Sequence, residues 1–117
     1  MAKSLFNPNS LTSSFLRLTE QTPAPSGGVA SRTLLQTGGG KSLVFSFDAG
    51  QELSEHTNPN HAILCGLTGT VQVTAGADVY QLDPGDRRHL PPKLVPSVKA
   101  AAAASFQLQL LAPDPAL

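Results

Sequence analysis

The sequence predicts an all-β, single-domain barrel or sandwich, on three observations. Ten Gly and ten Pro punctuate the chain at close intervals. The runs between them are short and rich in Val, Leu, Phe and Thr, the composition of strands joined by tight turns. The clearest run, residues 41–49, alternates with period two: Leu43, Phe45 and Phe47 share one face, and Ser42, Val44, Ser46 and Asp48 the other. A length of 117 residues suits one domain, because two would each be short of core.

The elements follow in order. Residues 1–28 read as an arm and linker. Leu5, Phe6, Leu11, Phe15, Leu16 and Leu18 sit there among Asn, Ser and Thr without a clean period, and residues 22–28 are rich in Pro and Gly. Such an arm must bury its apolar side chains either on its own barrel or on a second subunit, so a homodimer is expected. Residues 29–112 carry the barrel. The first strand, 29–37, is closed by Gly38-Gly39-Gly40, and 41–49 is the second. Strands at 61–67 and 70–75 flank Thr68-Gly69, and a turn at Ala75-Gly76-Ala77-Asp78 leads into 79–82. Asp83-Pro84-Gly85-Asp86 is a turn with Pro where its fixed φ fits. Short strands at 87–90 and 95–100 follow. The five alanines at 100–104 are too few to nucleate a helix, despite the propensity of Ala. The alternation of Phe106, Leu108 and Leu110 with Ser105, Gln107 and Gln109 makes 105–111 the last strand. Residues 113–117 form a tail.

Composition excludes several classes of function. Apolar residues at 40% and charged residues at 14% are incompatible with intrinsic disorder. Eight Lys+Arg balance eight Asp+Glu, which removes the electrostatic footprint of a nucleic-acid binder or a polybasic membrane anchor. Cys65 is the only cysteine, so neither an intrachain disulfide nor an all-cysteine zinc site is available. No apolar run is long enough to span a membrane, and the first residues lack the apolar core of a signal peptide. A cytoplasmic protein is expected.

Two blocks carry the chemistry. The first runs from Gly50-Gln51-Glu52-Leu53-Ser54-Glu55-His56-Thr57-Asn58 through His61-Ala62 to Gly69, and the second from Gly85 through Pro91-Pro92-Lys93 to Pro96. Here the chain resembles the cupin superfamily, whose two-part signature runs G-x5-H-x-H-x(3,4)-E-x6-G and G-x5-P-x-G-x2-H. Gly50, His56, Gly69, Gly85 and Pro91 fall on its positions in register. The resemblance implies a single small double-stranded β-helix (jelly-roll) barrel, preceded by the N-terminal arm.

The resemblance also implies a metal site of three His and one Glu, holding Fe, Mn, Ni or Zn inside the barrel. Ligands at i and i+2 share a strand face, which is the geometry such a site needs. Of these positions His56 keeps its residue, whereas the others hold Asn58, Ala62 and Pro96. Ala and Pro offer no donor atom and an Asn carboxamide is a weak ligand. The expectation is therefore a barrel without the usual metal. A metal site rebuilt from His56, His61 and His89 is the alternative, although parity sets His61 opposite to Ala62, Leu64 and Gly66.

Small side chains at Ala62 and Gly66 would leave a void lined by Leu, Phe and Ala, costly if empty. A small-molecule ligand is the expected occupant, with His56, Asn58, Ala62, Leu64 and Arg88 as binding residues. Whether Arg87 and His89 or Arg88 and Leu90 look inward stays open. An inward arginine would hold a carboxylate; an outward pair would blunt a sheet edge. Cys65 reads as an inert thiol, since no His or Lys adjoins it. Gly38-Gly39-Gly40-Lys41-Ser42 opens a strand and lacks the spacing of a phosphate-binding loop. Three functions compete: a metal-free small-molecule binder, a metal-dependent dioxygenase or isomerase, and a metal-independent sugar-modifying enzyme. The last would use His56 beside Glu55 or Asp48 as base and Tyr80 as acid.

Overall fold

Strand parity sets the architecture. In the computed structural model, residues 4–20, 23–54 and 58–114 are described; Glu55, His56 and Thr57 lie outside them. The described residues form, in chain order, β1 (Val29–Thr37), β2 (Gly40–Phe47), β3 (Glu52–Ser54), β4 (His61–Thr68), β5 (Val71–Ala75), β6 (Asp78–Leu82), β7 (Arg87–Leu90), β8 (Pro96–Lys99) and β9 (Ala104–Leu111). They make two antiparallel sheets, ordered β1-β2-β9-β4-β7 and β3-β8-β5-β6. This is the all-β jelly roll expected from the sequence. Its two sheets face each other across the core and do not close into one continuous hydrogen-bonded barrel.

The inward series of β2 (Leu43, Phe45, Phe47) meets Phe106 and Leu108 of β9, Ala62 and Leu64 of β4, and Val71, Val73 and Val98 of the facing sheet. Phe106 stacks on Phe45 with ring centroids 5.3 Å apart, and on Phe47 at 5.9 Å. Phe47 and Phe106 are fully buried, and each such ring contributes roughly 2–3 kcal/mol by burial.

The outward face of the five-stranded sheet is also covered, and this accounts for the arm. Val44 and Ser46, on the outward parity of β2, are only 1% and 6% exposed. Phe6, Leu16 and Leu18 lie over that face and, with Leu34, Leu35 and Ser42, line a groove between arm and sheet. The Leu5 and Phe6 amides donate to the Thr33 and Leu34 carbonyls at 2.9 and 2.7 Å. A bulge in β1 between Thr33 and Leu35 makes this possible: it shifts the register so that Leu35 sits opposite outward-facing Ser42. Of the six apolar arm residues, four are half-buried on their own sheet, whereas Leu11 and Phe15 are 102% and 80% exposed. The linker is fixed by Asp48, whose carboxylate accepts from the Gly27 amide at 2.6 Å and the Ala49 amide at 2.9 Å.

Two local readings need correction. The short strand β3 was not foreseen, because Glu52–Ser54 is too brief to show alternation; it is set by pairing with β8. Gly66 faces inward as expected but leaves no void. The Asp83–Asp86 turn packs on it, with the Gly66 amide donating to Asp86 and the Gly85 amide donating to Gly66, both at 2.9 Å. A Cβ at Gly66 would collide with the Asp83 backbone carbonyl. The alanine run behaves as a connection, with bends at 101–103 and Ala104 opening β9.

Two predictions follow from these contacts. Gly66→Ala forces backbone against backbone and lowers stability by more than about 2 kcal/mol, measurable by chemical denaturation. The Gly27 and Ala49 amides hold the Asp48 carboxyl below its ordinary value of 3.8. The stabilising clamp is therefore complete above that pH and is lost as pH falls through the lower folded value. The Gly27 amide resonance should shift in an NMR titration with a midpoint below 3.8; a midpoint at or above 3.8 would contradict it.

Candidate ligand cavity

At one end of the sandwich the inward side chains leave a space beside Ala62. Lys41, Leu43 and Phe45 of β2, Leu108 and Leu110 of β9, Ala62 of β4, Pro96 at the start of β8, and Asn58 line a partly open cavity of about 220 Å³. It falls below the roughly 300 Å³ at which drug-sized sites begin, so it suits a smaller molecule. Three of the four positions where the cupin resemblance places metal ligands (Asn58, Ala62 and Pro96) thus converge on one space. The fourth, His56, lies outside the described residues.

Asn58 is the buried polar group of this lining, at 9% exposure. Its Oδ1 accepts from the Asn60 amide at 3.1 Å, and its backbone carbonyl accepts from the Lys93 amide at 2.8 Å. The amide keeps two N–H donors on Nδ2 and a second lone pair on Oδ1 with which to meet a ligand. Lys93 occupies the third position of a Pro91–Leu94 turn closed by Leu94 N–H to the Pro91 carbonyl at 3.3 Å, with φ of 77°. That is type II geometry, with proline second and a residue that ought to be glycine third. The position is the glycine of the P-x-G signature. A lysine held there stores strain on the segment that fixes Asn58.

These residues do not fit a divalent metal. Ala62 and Pro96 carry no donor, and the Asn58 oxygen already accepts a backbone hydrogen bond. His61 and His89 do come together, with Nδ1···Nε2 at 2.9 Å and ring centroids 5.1 Å apart. They do so on the outward face: His61 alternates with buried Ala62, and His89 sits opposite Ile63. Among the described residues, no three His, Cys, Asp or Glu side chains form a group able to hold a metal.

The other candidates are spread through the fold. Leu64 is wholly buried in the core and does not line the cavity. Leu90, 2% exposed, decides the parity of β7: Arg88 and Leu90 lie inward, Arg87 and His89 outward. Arg88 nevertheless stays at the sheet edge, its guanidinium 3.9 Å above the Tyr80 ring, so that β7 and β6 are bridged by a cation–π contact. The Tyr80 hydroxyl is buried without a hydrogen-bond partner among the described residues. Burial raises its pKa, and the Arg88 charge opposes that rise. Asp48 is occupied by the linker, and half-buried Cys65 points its thiol to the Gly66 carbonyl at 3.8 Å. Lys41 was missed. The signal was present, because it continues the Leu43, Phe45, Phe47 series by one inward step.

No protein-family model matches the sequence, and no curated protein does either. Solved structures do. A crystal structure of a cupin superfamily protein from Desulfitobacterium hafniense superposes with a TM-score of 0.70 at 21% identity, over 74% of this chain and 80% of that one. An uncharacterised Klebsiella pneumoniae protein with a double-stranded β-helix domain gives 0.75 at 18% identity, over 86% and 90%. The fold is therefore the double-stranded β-helix of the cupin superfamily. Along nearly its whole length the chain is similar to the conserved Streptococcus pyogenes protein SPY1581, of unknown function. The TM-score is 0.79 at 28% identity, over 97% of this chain and 99% of that one.

The strained turn yields a prediction. Lys93→Gly removes the penalty at φ of 77° and leaves stability unchanged or raises it by up to about 1 kcal/mol. Lys93→Val, branched at Cβ, lowers it by about 1–2 kcal/mol. Paired denaturation curves measure both, and equal stabilities for the two variants would contradict the strain.

Proposed function

We propose that the protein is a small-molecule-binding cupin-fold domain that holds a compact, largely apolar organic ligand inside the barrel without a metal. The observation that carries this reading is the cavity where the signature positions meet. Its walls are Leu43, Phe45, Leu108, Leu110 and Pro96, its floor is the methyl group of Ala62, and its polar groups are Asn58 and Lys41. Burying a ligand against such walls gains about 25 cal/mol per Å² of apolar area. The few polar groups orient it. Ala62 matters because its methyl group leaves room that a longer side chain would reduce.

The test uses benzyl alcohol as a neutral probe in the presence of a chelator, followed by methyl NMR. Saturable shifts at Leu43, Ala62 and Leu108 are expected. Ala62→Leu should weaken binding at least tenfold while stability stays level or rises by up to about 1 kcal/mol, because the added methyls enter existing space. Absence of shifts in the wild-type protein would overturn the reading. So would a stoichiometric transition metal whose removal abolishes binding.

A further inference from the structure

We infer that the ligand is a small monocarboxylate whose charged end is held at the cavity mouth by Lys41; this rests on the binding role proposed above and adds its chemical class.

Lys41 occupies an unusual position. It follows the inward parity of β2, sits opposite Leu110, and is half-buried in the cavity lining. A lysine pointing toward a core is ordinarily explained as protection of a sheet edge. That explanation fails here, because β2 lies between β1 and β9 and has no free edge. None of the residues that line the cavity with Lys41 is a carboxylate. Its neighbours in the lining are hydrocarbon, apart from Asn58.

The site thus presents one cation and one amide donor at the edge of an apolar space, and no anion among its lining residues. A carboxylate complements both donors: it accepts a charge-assisted hydrogen bond from the ammonium and a second from Asn58 Nδ2. A single hydrophobic group of ring size fills the rest. An apolar cavity of roughly 150 Å³ admits benzene, so about 220 Å³ takes a ring with one substituent. Dicarboxylates and sugars are disfavoured, since they would drive polar groups against Phe45, Leu43 and Leu108 with no partner.

Benzoate and its neutral isostere benzamide separate this inference from the reading beneath it. In the wild-type protein, calorimetric or NMR titration should show benzoate binding about fivefold or more tightly than benzamide, as a partly exposed ion pair allows. Raising the salt concentration should erode the benzoate advantage and leave benzamide unchanged. Lys41→Met keeps the apolar stem and removes the charge. It should reduce benzoate affinity to that of benzamide while benzamide itself binds as before. Equal affinities in the wild-type protein, or equal losses for both probes in Lys41→Met, would overturn the carboxylate assignment. Failure of both probes to bind the wild-type protein would overturn the binding role itself.

Discussion

The stacking of Phe106 between Phe45 and Phe47 is the contact on which the rest of the molecule depends. Packed sheets sit about 10 Å apart. These three rings fill that gap from within the five-stranded sheet, together with Val71, Val73 and Val98 from the opposite one. With the spacing fixed there, the sheets cannot close further at the cavity end. The space beside Ala62 and Pro96 therefore persists as a cavity instead of being lost to collapse. A different balance, with larger residues at the mouth and smaller ones at the stack, would give a solid end and an unstable middle.

Period-two patterning made most of this legible in the residues. The inward series of β2, β4 and β9 could be read directly, and it placed Ala62 and Leu64 in the interior where they are found. What it could not convey was which inward residues meet a neighbour from a distant part of the chain. Gly66 looked like missing volume because its filling group, the Asp83 carbonyl, belongs to a turn many residues away. Leu64 and Ala62 looked equivalent, yet one packs in the core and the other faces open space. Lys41 was overlooked for a different reason. A lysine next to a triple glycine reads as the end of a turn, although its parity already committed it to the interior.

The arm illustrates the same limit. Its apolar residues announced that something must be buried, but their spacing follows neither helix nor strand. Their destination is set by the outward face of β2 and by the bulge in β1, which turns Leu35 toward them. A sheet with Val44 and Ser46 on its outer face is not polar enough to meet water well, so the arm completes the fold as a third layer. Leu11 and Phe15 remain outside that layer, with the Arg17 guanidinium 5.4 Å above the Phe15 ring.

The residues found at the signature positions also set what the interior favours. A carboxylate in the barrel carries a large desolvation cost that a bound cation offsets. With Ala62 at the glutamate position of the signature, that position offers neither an anion nor a donor atom. What remains is a hydrocarbon-lined space in which Lys41 is the charged member of the lining. A lining with one lysine and no carboxylate is the electrostatic basis of the anion preference proposed above. The sheets are held at their spacing by the aromatic stack, which lies apart from the signature positions that line the cavity.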